Sequence, residues 1–307
     1  MTKQSGTRLG VELSLLLLLA LLWGSSYLFI KIAVQELPPV TLIAFRVSIA
    51  ALFLLAVLLW RREPLPRDRL IWKMLLIQAF FNGIAPWTIL AWGQQYIDSG
   101  LASVLNSTSP IFVFLFTAFI THHEIVSGRK LFGACIGLTG VVLIVGTDVL
   151  AGLGQQVTGQ LAALVGAMLY GCAAIYGKRL CGISAPVAAA GTMIWSSIVL
   201  VPASMIIDAP WTLSFSWTAL AAAFALGLLC TGFALLIYFR LIHTLGSLGV
   251  ASQAYLRAGI GVILGMVILG EQPTLMVGIG LLFAVLGVAA INLPTGIFRF
   301  RLLKKRS

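Results

Sequence analysis

Apolar runs of about 20 residues recur ten times along this chain, at 12–35, 38–60, 71–93, 99–121, 129–147, 157–178, 184–207, 215–240, 246–270 and 274–293. Wound as helices at ~1.5 Å per residue, each is long enough to cross a hydrocarbon core of ~30 Å. Backbone in lipid must satisfy its own hydrogen bonds, which leaves helices or a closed barrel. The runs are too long and too uniformly apolar for barrel strands, whose residues alternate between lipid and lumen. The expected fold is an all-α integral membrane protein with ten transmembrane helices. The longest connection, 61–69 with Pro64 and Pro66, leaves no room for a separate soluble domain.

Charge supports the same count. The net charge is +11, yet the basic residues are not gathered into one patch as nucleic-acid binding would require. With the N-terminus inside, 17 of the 20 Lys and Arg fall on inner segments or in the tail, and none in an outer loop. The other three, Lys31, Arg46 and Arg257, lie within spans. The positive-inside rule is thus met at every turn, with both termini cytoplasmic. Partners of the polypeptide are then the lipid bilayer and a small solute, with no nucleic acid. The basic start and Leu-rich first run do not read as a cleaved signal, because the run continues through Trp23–Ile30. Cys135, Cys172, Cys181 and Cys230 lie in or at the ends of spans, so no disulfide framework is expected.

Shifting the sequence by 147 positions places Gly24 on Gly171, Lys31 on Lys178, Pro39 on Pro186, Glu124 on Glu271, Gly133 on Gly280 and Gly140 on Gly287. Such residues are scarce in a chain built mainly of Leu, Ala, Val and Ile, so the coincidences point to duplication. Each copy holds an odd number of spans, and the two copies must therefore be inverted relative to one another. That is the ground plan of many secondary transporters. The expected units are 1–148 and 149–293, five spans each, followed by a basic cytoplasmic tail at 294–307. Gly133, Gly137 and Gly140 in the fifth span and Gly280, Ala284 and Gly287 in the tenth form small-residue faces that let helices approach closely. Those faces serve packing within one chain or the seam of a homodimer through the fifth and tenth spans.

Polar residues inside the spans are the candidate site. Arg46 lies ~12 Å in from the outer end of the second span, and Arg257 lies near the middle of the ninth. A guanidinium at that depth should face a cavity, carbonyls or an anionic solute group rather than lipid. Gln78 and Asn82 share one face of the third span, where Pro86 deprives the Asn82 carbonyl of its usual donor. Pro110 does the same to Asn106 in the fourth. The offset places Gln253 on Asn106 and Arg257 on Pro110, so the two mid-span polar sites are related by the duplication. Arg257, Gln253, Asn106, Asn82 and Gln78 are the expected solute contacts, with Trp23, Tyr27, Trp87, Trp92 and Tyr255 as walls. Arg46, Pro86 and Pro110 are assigned gating or structural roles. Glu124 and Glu271 are expected to face helix dipoles at opposite membrane faces. No embedded carboxylate or histidine is placed for acid–base chemistry, and His122-His123-Glu124 lacks the i, i+4 spacing of a metal pair. Neither enzyme activity, nor a metal, nor a cofactor is expected.

These residues resemble the drug/metabolite transporter superfamily, in its EamA branch, over 14–292. The resemblance rests on Trp23-Gly24-Ser25-Ser26-Tyr27, Arg46, Gly100-Leu101-Ala102, Ser109-Pro110, Glu124 and Gly133–Gly140 in the first half. In the second half it rests on Gly249–Ser252, Gly270-Glu271 and Gly280–Gly287. It implies a ten-helix inverted-repeat carrier, often an inner-membrane exporter of amino acids, related metabolites or toxic compounds. Arg257 stands where the second repeat usually carries proline. That removes the residue that would kink the ninth span, and it favours a carboxylate-bearing solute. A broad-specificity drug efflux carrier and a passive channel are the rival readings. For a channel, the sequence offers no charged ring or filter.

Overall fold

The computed structural model describes residues 2–33, 36–93, 96, 104–121, 127–145, 156–214, 216–257, 260 and 275–293. These residues contain helices and no strands. The helices are α1 (Thr2–Ala33), α2 (Pro39–Arg61), α3 (Arg69–Ala79), α4 (Ala85–Gly93), α5 (Ser109–Phe116), α6 (Gly128–Val145), α7 (Val157–Gly177), α8 (Ala185–Ile207), α9 (Trp217–Gly227), α10 (Ala234–Ala251) and α11 (Leu275–Asn292). Among the described residues, seven helical stretches are long and apolar enough to cross a membrane. One of them, Trp217–Ala251, has 35 residues, more than one crossing needs. Gly246 divides it: φ 80° and ψ 175° are open only to glycine and end the helix there. The sequence places a new span at the same residue.

Three π-helical segments interrupt the α geometry: Phe80–Ile84 between α3 and α4, Thr117–Thr121 after α5, and Leu228–Phe233 between α9 and α10. The first explains how the third span accommodates Pro86. The Ala85 amide reaches back five residues to the Phe80 carbonyl, so the register slips before the proline arrives. Shifted by 147, this segment falls on 227–231 and overlaps the third, which contains no proline.

Packing follows the duplication. Helix α1 lies on α9 and α10 of the second half, while α7 lies on α3, α4 and α5 of the first. A Cβ at Gly24 on α1 would lie 3.4 Å from the Arg257 carbonyl oxygen, and one at its mate Gly171 on α7 would lie 3.6 Å from that of Ser109. Helix α2 packs on its mate α8, and α6 packs on its mate α11. In the latter seam a Cβ at Gly140 would lie 2.5 Å from the Ala284 nitrogen, and one at Gly287 2.6 Å from the Gly133 oxygen. The small-residue faces are therefore turned on each other within one chain. Glu124, Glu271 and the basic tail lie outside the described residues, as does the side chain of Tyr27.

Candidate functional site

Helix α3 and the π-segment after it carry the first polar pair. Gln78 is fully buried and donates its Nε2 to the Ala173 carbonyl on α7 at 3.2 Å. Its Oε1 has no donor, and Asn82, one turn further on, is buried with Nδ2 unmatched. Tyr238 of α10 lies beside Gln78 and places its ring 5.5 Å from that of Trp23 on α1. Trp23 and Gln78 are thereby joined through Tyr238, a residue that sequence reasoning did not single out.

Arg46 sits at a second node. It is 7% exposed and donates its Nε to Thr231 Oγ1 at 2.7 Å. Thr231 in turn donates to the Leu226 carbonyl at 2.8 Å, five residues back within the helix. Above the guanidinium lies Trp87, with 3.9 Å from the Arg46 Cζ to a ring centroid. Trp87 and Arg46, expected in separate roles, thus form one contact. Thr231 was missed. Its position in the duplication is held by Ile84, so a polar residue replacing an apolar one was the available signal.

The fourth and ninth spans carry the pair that the offset relates. The chain turns at Ser107-Thr108, where the Thr108 hydroxyl caps the Leu105 carbonyl at 2.6 Å, and α5 begins with Ser109-Pro110. In the ninth span the turn falls at Ser252, whose hydroxyl donates to the Gly249 carbonyl at 2.6 Å, before helix resumes over 253–257. The break expected to vanish with the second proline is therefore present, made by a serine that bonds its own backbone. Asn106 and Gln253 are 5% and 6% exposed, and each holds a side-chain carbonyl oxygen without a donor.

Two expected walls are placed elsewhere. Tyr255 is fully buried, packs on Gly137 and donates its hydroxyl to the Ala134 carbonyl at 2.9 Å. It anchors the ninth span to α6 instead of lining the polar layer. At 100° per residue, that orientation turns Gln253 and Arg257 away from α6, and the Arg257 Cγ lies beside Gly24 on α1. Trp92 is 47% exposed and packs edge-on to Tyr96, 5.0 Å between centroids, as an interfacial aromatic does.

Of the five acidic residues among those described, four hold helix starts and Glu12 pairs with side chains of α10. Glu12 takes Arg240 at 2.8 Å and Thr244 at 3.0 Å, Asp68 caps α3, and Glu36, Glu63 and Asp208 hold the starts of α9, α8 and α2. No cluster of three His, Cys, Asp or Glu capable of holding a metal exists among the described residues, and all four cysteines are free thiols.

A duplicated bundle of apolar helices around a layer of buried amides, with charge confined to a few embedded cations and to helix ends, defines a multi-pass membrane protein of the transporter class. The model of the EamA-like transporter family matches residues 11–146 and again 157–293, and the chain belongs to that family. It is 26% identical to the uncharacterized transporter YoaV of Bacillus subtilis over 87% of this chain and 92% of that one. It is 28% identical to the uncharacterized inner membrane transporter YedA of Escherichia coli over 91% and 90%. A solved crystal structure, 19% identical, superposes with a TM-score of 0.76 over 97% of this chain and 99% of the other, and so shares the fold. The chain is accordingly a multi-pass membrane protein.

Proposed function

We propose that the protein is a secondary transporter that exports amino acids or related carboxylate-bearing metabolites by alternating access. Ten spans cross the membrane with both termini in the cytoplasm, and helices of the units 1–148 and 149–293 move to open the buried polar layer to each side in turn. The observation that carries this reading is the pair Asn106 and Gln253. Mates in the duplication, both are buried, and each keeps an amide oxygen without a donor. A buried acceptor left unmatched costs about 1–3 kcal/mol, so the layer is built for donors that come and go, water or a solute ammonium group. Gln78 Oε1 adds a third such acceptor. Arg257 supplies the opposite charge for a carboxylate, Asn82 hydrogen-bonds the solute, and Trp23 and Trp87 wall the space. Pairing of two copies through α6 and α11 would use their outward faces, Phe132, Leu282 and Val285, since the glycine faces meet within the chain.

Purified protein should be screened for thermal stabilisation by amino acids, organic acids and cationic drugs. Stabilisation by carboxylate-bearing solutes, lost in Arg257→Ala together with vesicle transport, is the expected result. Losing one charged contact of this kind lowers apparent affinity by about 2–5 kcal/mol. A response to cations alone would replace this reading with drug efflux, and conductance far above carrier turnover would replace it with a channel.

A further inference from the structure

Arg46 occupies a position whose surroundings are explained neither by a helix-end role nor by solute contact. Two of its partners belong to different helices, and both lie at π-segments. Thr231 is inside Leu228–Phe233, and Trp87 follows Phe80–Ile84 by three residues, just past Pro86. Those two segments overlap under the 147-residue offset. A π-segment leaves carbonyls poorly matched and makes a helix easy to bend. At 228–233 the Leu226 carbonyl accepts the Thr231 hydroxyl, which is itself held by Arg46. Near the same point α2 and α9 touch through backbone, since a Cβ at Gly227 would lie 3.0 Å from the Arg46 carbonyl oxygen.

The duplication supplies the contrast. The mates of Arg46, Trp87 and Thr231 are Met193, Ala234 and Ile84. Where α8 meets the first π-segment, the three atoms nearest a Cβ at Gly83 would be the Ser196 hydroxyl at 3.0 Å, a Trp87 ring carbon at 3.5 Å and the Met193 methyl at 3.6 Å. One bend is therefore tied to the neighbouring span by a cation with a hydrogen bond and a stacked ring, whereas at its mate Met193 supplies no such cation. Stripping these partners from a buried guanidinium in each cycle would be costly.

We propose that Arg46 is a positioning residue that ties the two π-segments together and keeps α2, the third span and the α9–α10 helix joined as one body throughout the transport cycle. The proposal rests on the carrier reading above for its cycle, but its structural half is tested without any solute.

Arg46→Met copies the chemistry of its mate at similar volume. Hydrogen–deuterium exchange on the purified variant should quicken by about tenfold or more in both π-segments at once. Thr231→Val, which keeps the guanidinium, should quicken exchange at 80–84 on the other helix as well as at 228–233. A change confined to one segment in either variant overturns the tie. For the second arm, Phe53→Cys with Gly232→Cys, in a background lacking Cys135, Cys172, Cys181 and Cys230, links α2 to the second bend, because a Cβ at Gly232 would lie 3.4 Å from the Phe53 Cγ. Vesicles with this pair oxidised should move radiolabelled L-leucine and L-phenylalanine as the reduced pair does. Transport stopped by oxidation and restored by reductant overturns the single-body assignment. If unmodified protein moves neither label, the carrier reading for amino acids fails, while the exchange result still decides the tie. Loss of solute-induced stabilisation in Arg46→Met would make Arg46 a solute contact and overturn the positioning role.

Discussion

A Cβ built at Gly137 would collide with Cδ2 and Cε2 of Tyr255, so the bare backbone of α6 is the surface on which that ring rests. The ring is fully buried, and its hydroxyl is matched by the Ala134 carbonyl one turn earlier on the same helix. Both halves of the contact are expected to be energetic. Gly137→Val should lower stability by about 1–3 kcal/mol through overpacking. Tyr255→Phe, which keeps the ring and loses one hydrogen bond, should cost only ~1 kcal/mol. Thermal unfolding in detergent reads both, and Tyr255→Leu in the Gly137→Val background should recover part of the loss by vacating the space. Equal losses from Val and Phe would mean that the hydroxyl, not the fit of ring to glycine, holds the contact. The same residue shows where sequence reasoning stopped. A tyrosine two positions from Gln253 and two from Arg257 reads as part of their face until the 100° step per residue is combined with a known neighbour.

Helix starts in this bundle are held from other helices by carboxylates. Glu36, just past α1, accepts the Ser216 amide at 2.6 Å and its hydroxyl at 2.8 Å where α9 begins. Glu63, just past α2, accepts the hydroxyl of Ser184, the N-cap of α8, and Asp208, just past α8, accepts the Thr41 amide at 2.7 Å near the start of α2. Negative charge at these ends complements the helix dipole. The Ser216 amide holds the Glu36 carboxyl below its ordinary 4.5, and the Ser184 hydroxyl does the same for Glu63. Both groups are therefore more acidic in the folded chain than in the unfolded one. Their contribution is complete above the ordinary value and is lost as pH falls through the depressed one. Thermal stability in detergent should decline from about pH 4.5 downward. In Glu36→Gln with Glu63→Gln that acid limb should flatten and the neutral plateau should sit lower; an acid limb unchanged from the parent would show that other groups set it.

The all-helical membrane fold and the break at Pro110 were legible at this scale because hydropathy and proline leave direct marks in composition. The π-segments were not. At Phe80–Ile84 the only mark is Pro86, which predicts a missing donor without saying how the backbone absorbs it. At Leu228–Phe233 no residue type requires the extra residue per turn. Thr231 and Arg46 complete that geometry from 185 residues apart, a relation that periodicity along one strand of sequence does not carry.

Considered whole, the molecule consists of two similar chains of helices that complete one another. The seams named above run between the halves: α1 on α9 and α10, α7 on α3 to α5, α2 on α8, and α6 on α11. Glu12 with Arg240 and Thr244, Glu36 with Ser216, Asp208 with Thr41, and Arg46 with Thr231 likewise cross from one half to the other. In lipid, exposing a helix flank costs little, because tails are as apolar as leucine; what holds helices together is close packing and polar contact. A half on its own would keep its helices but lose the glycine seams, leave Arg46 and Gln78 without the partners they take from Thr231 and Ala173, and free the helix starts held by Glu36 and Asp208. Cutting the gene after residue 150 and expressing each part alone should therefore give two unstable, proteolysed products. Expressing both together should give a complex that co-purifies through a tag on one part and regains the thermal stability of the intact chain. A first part that is monodisperse and protease-resistant by itself would show that each unit folds as an independent bundle, and the interleaving of the two would then be a docking of finished domains.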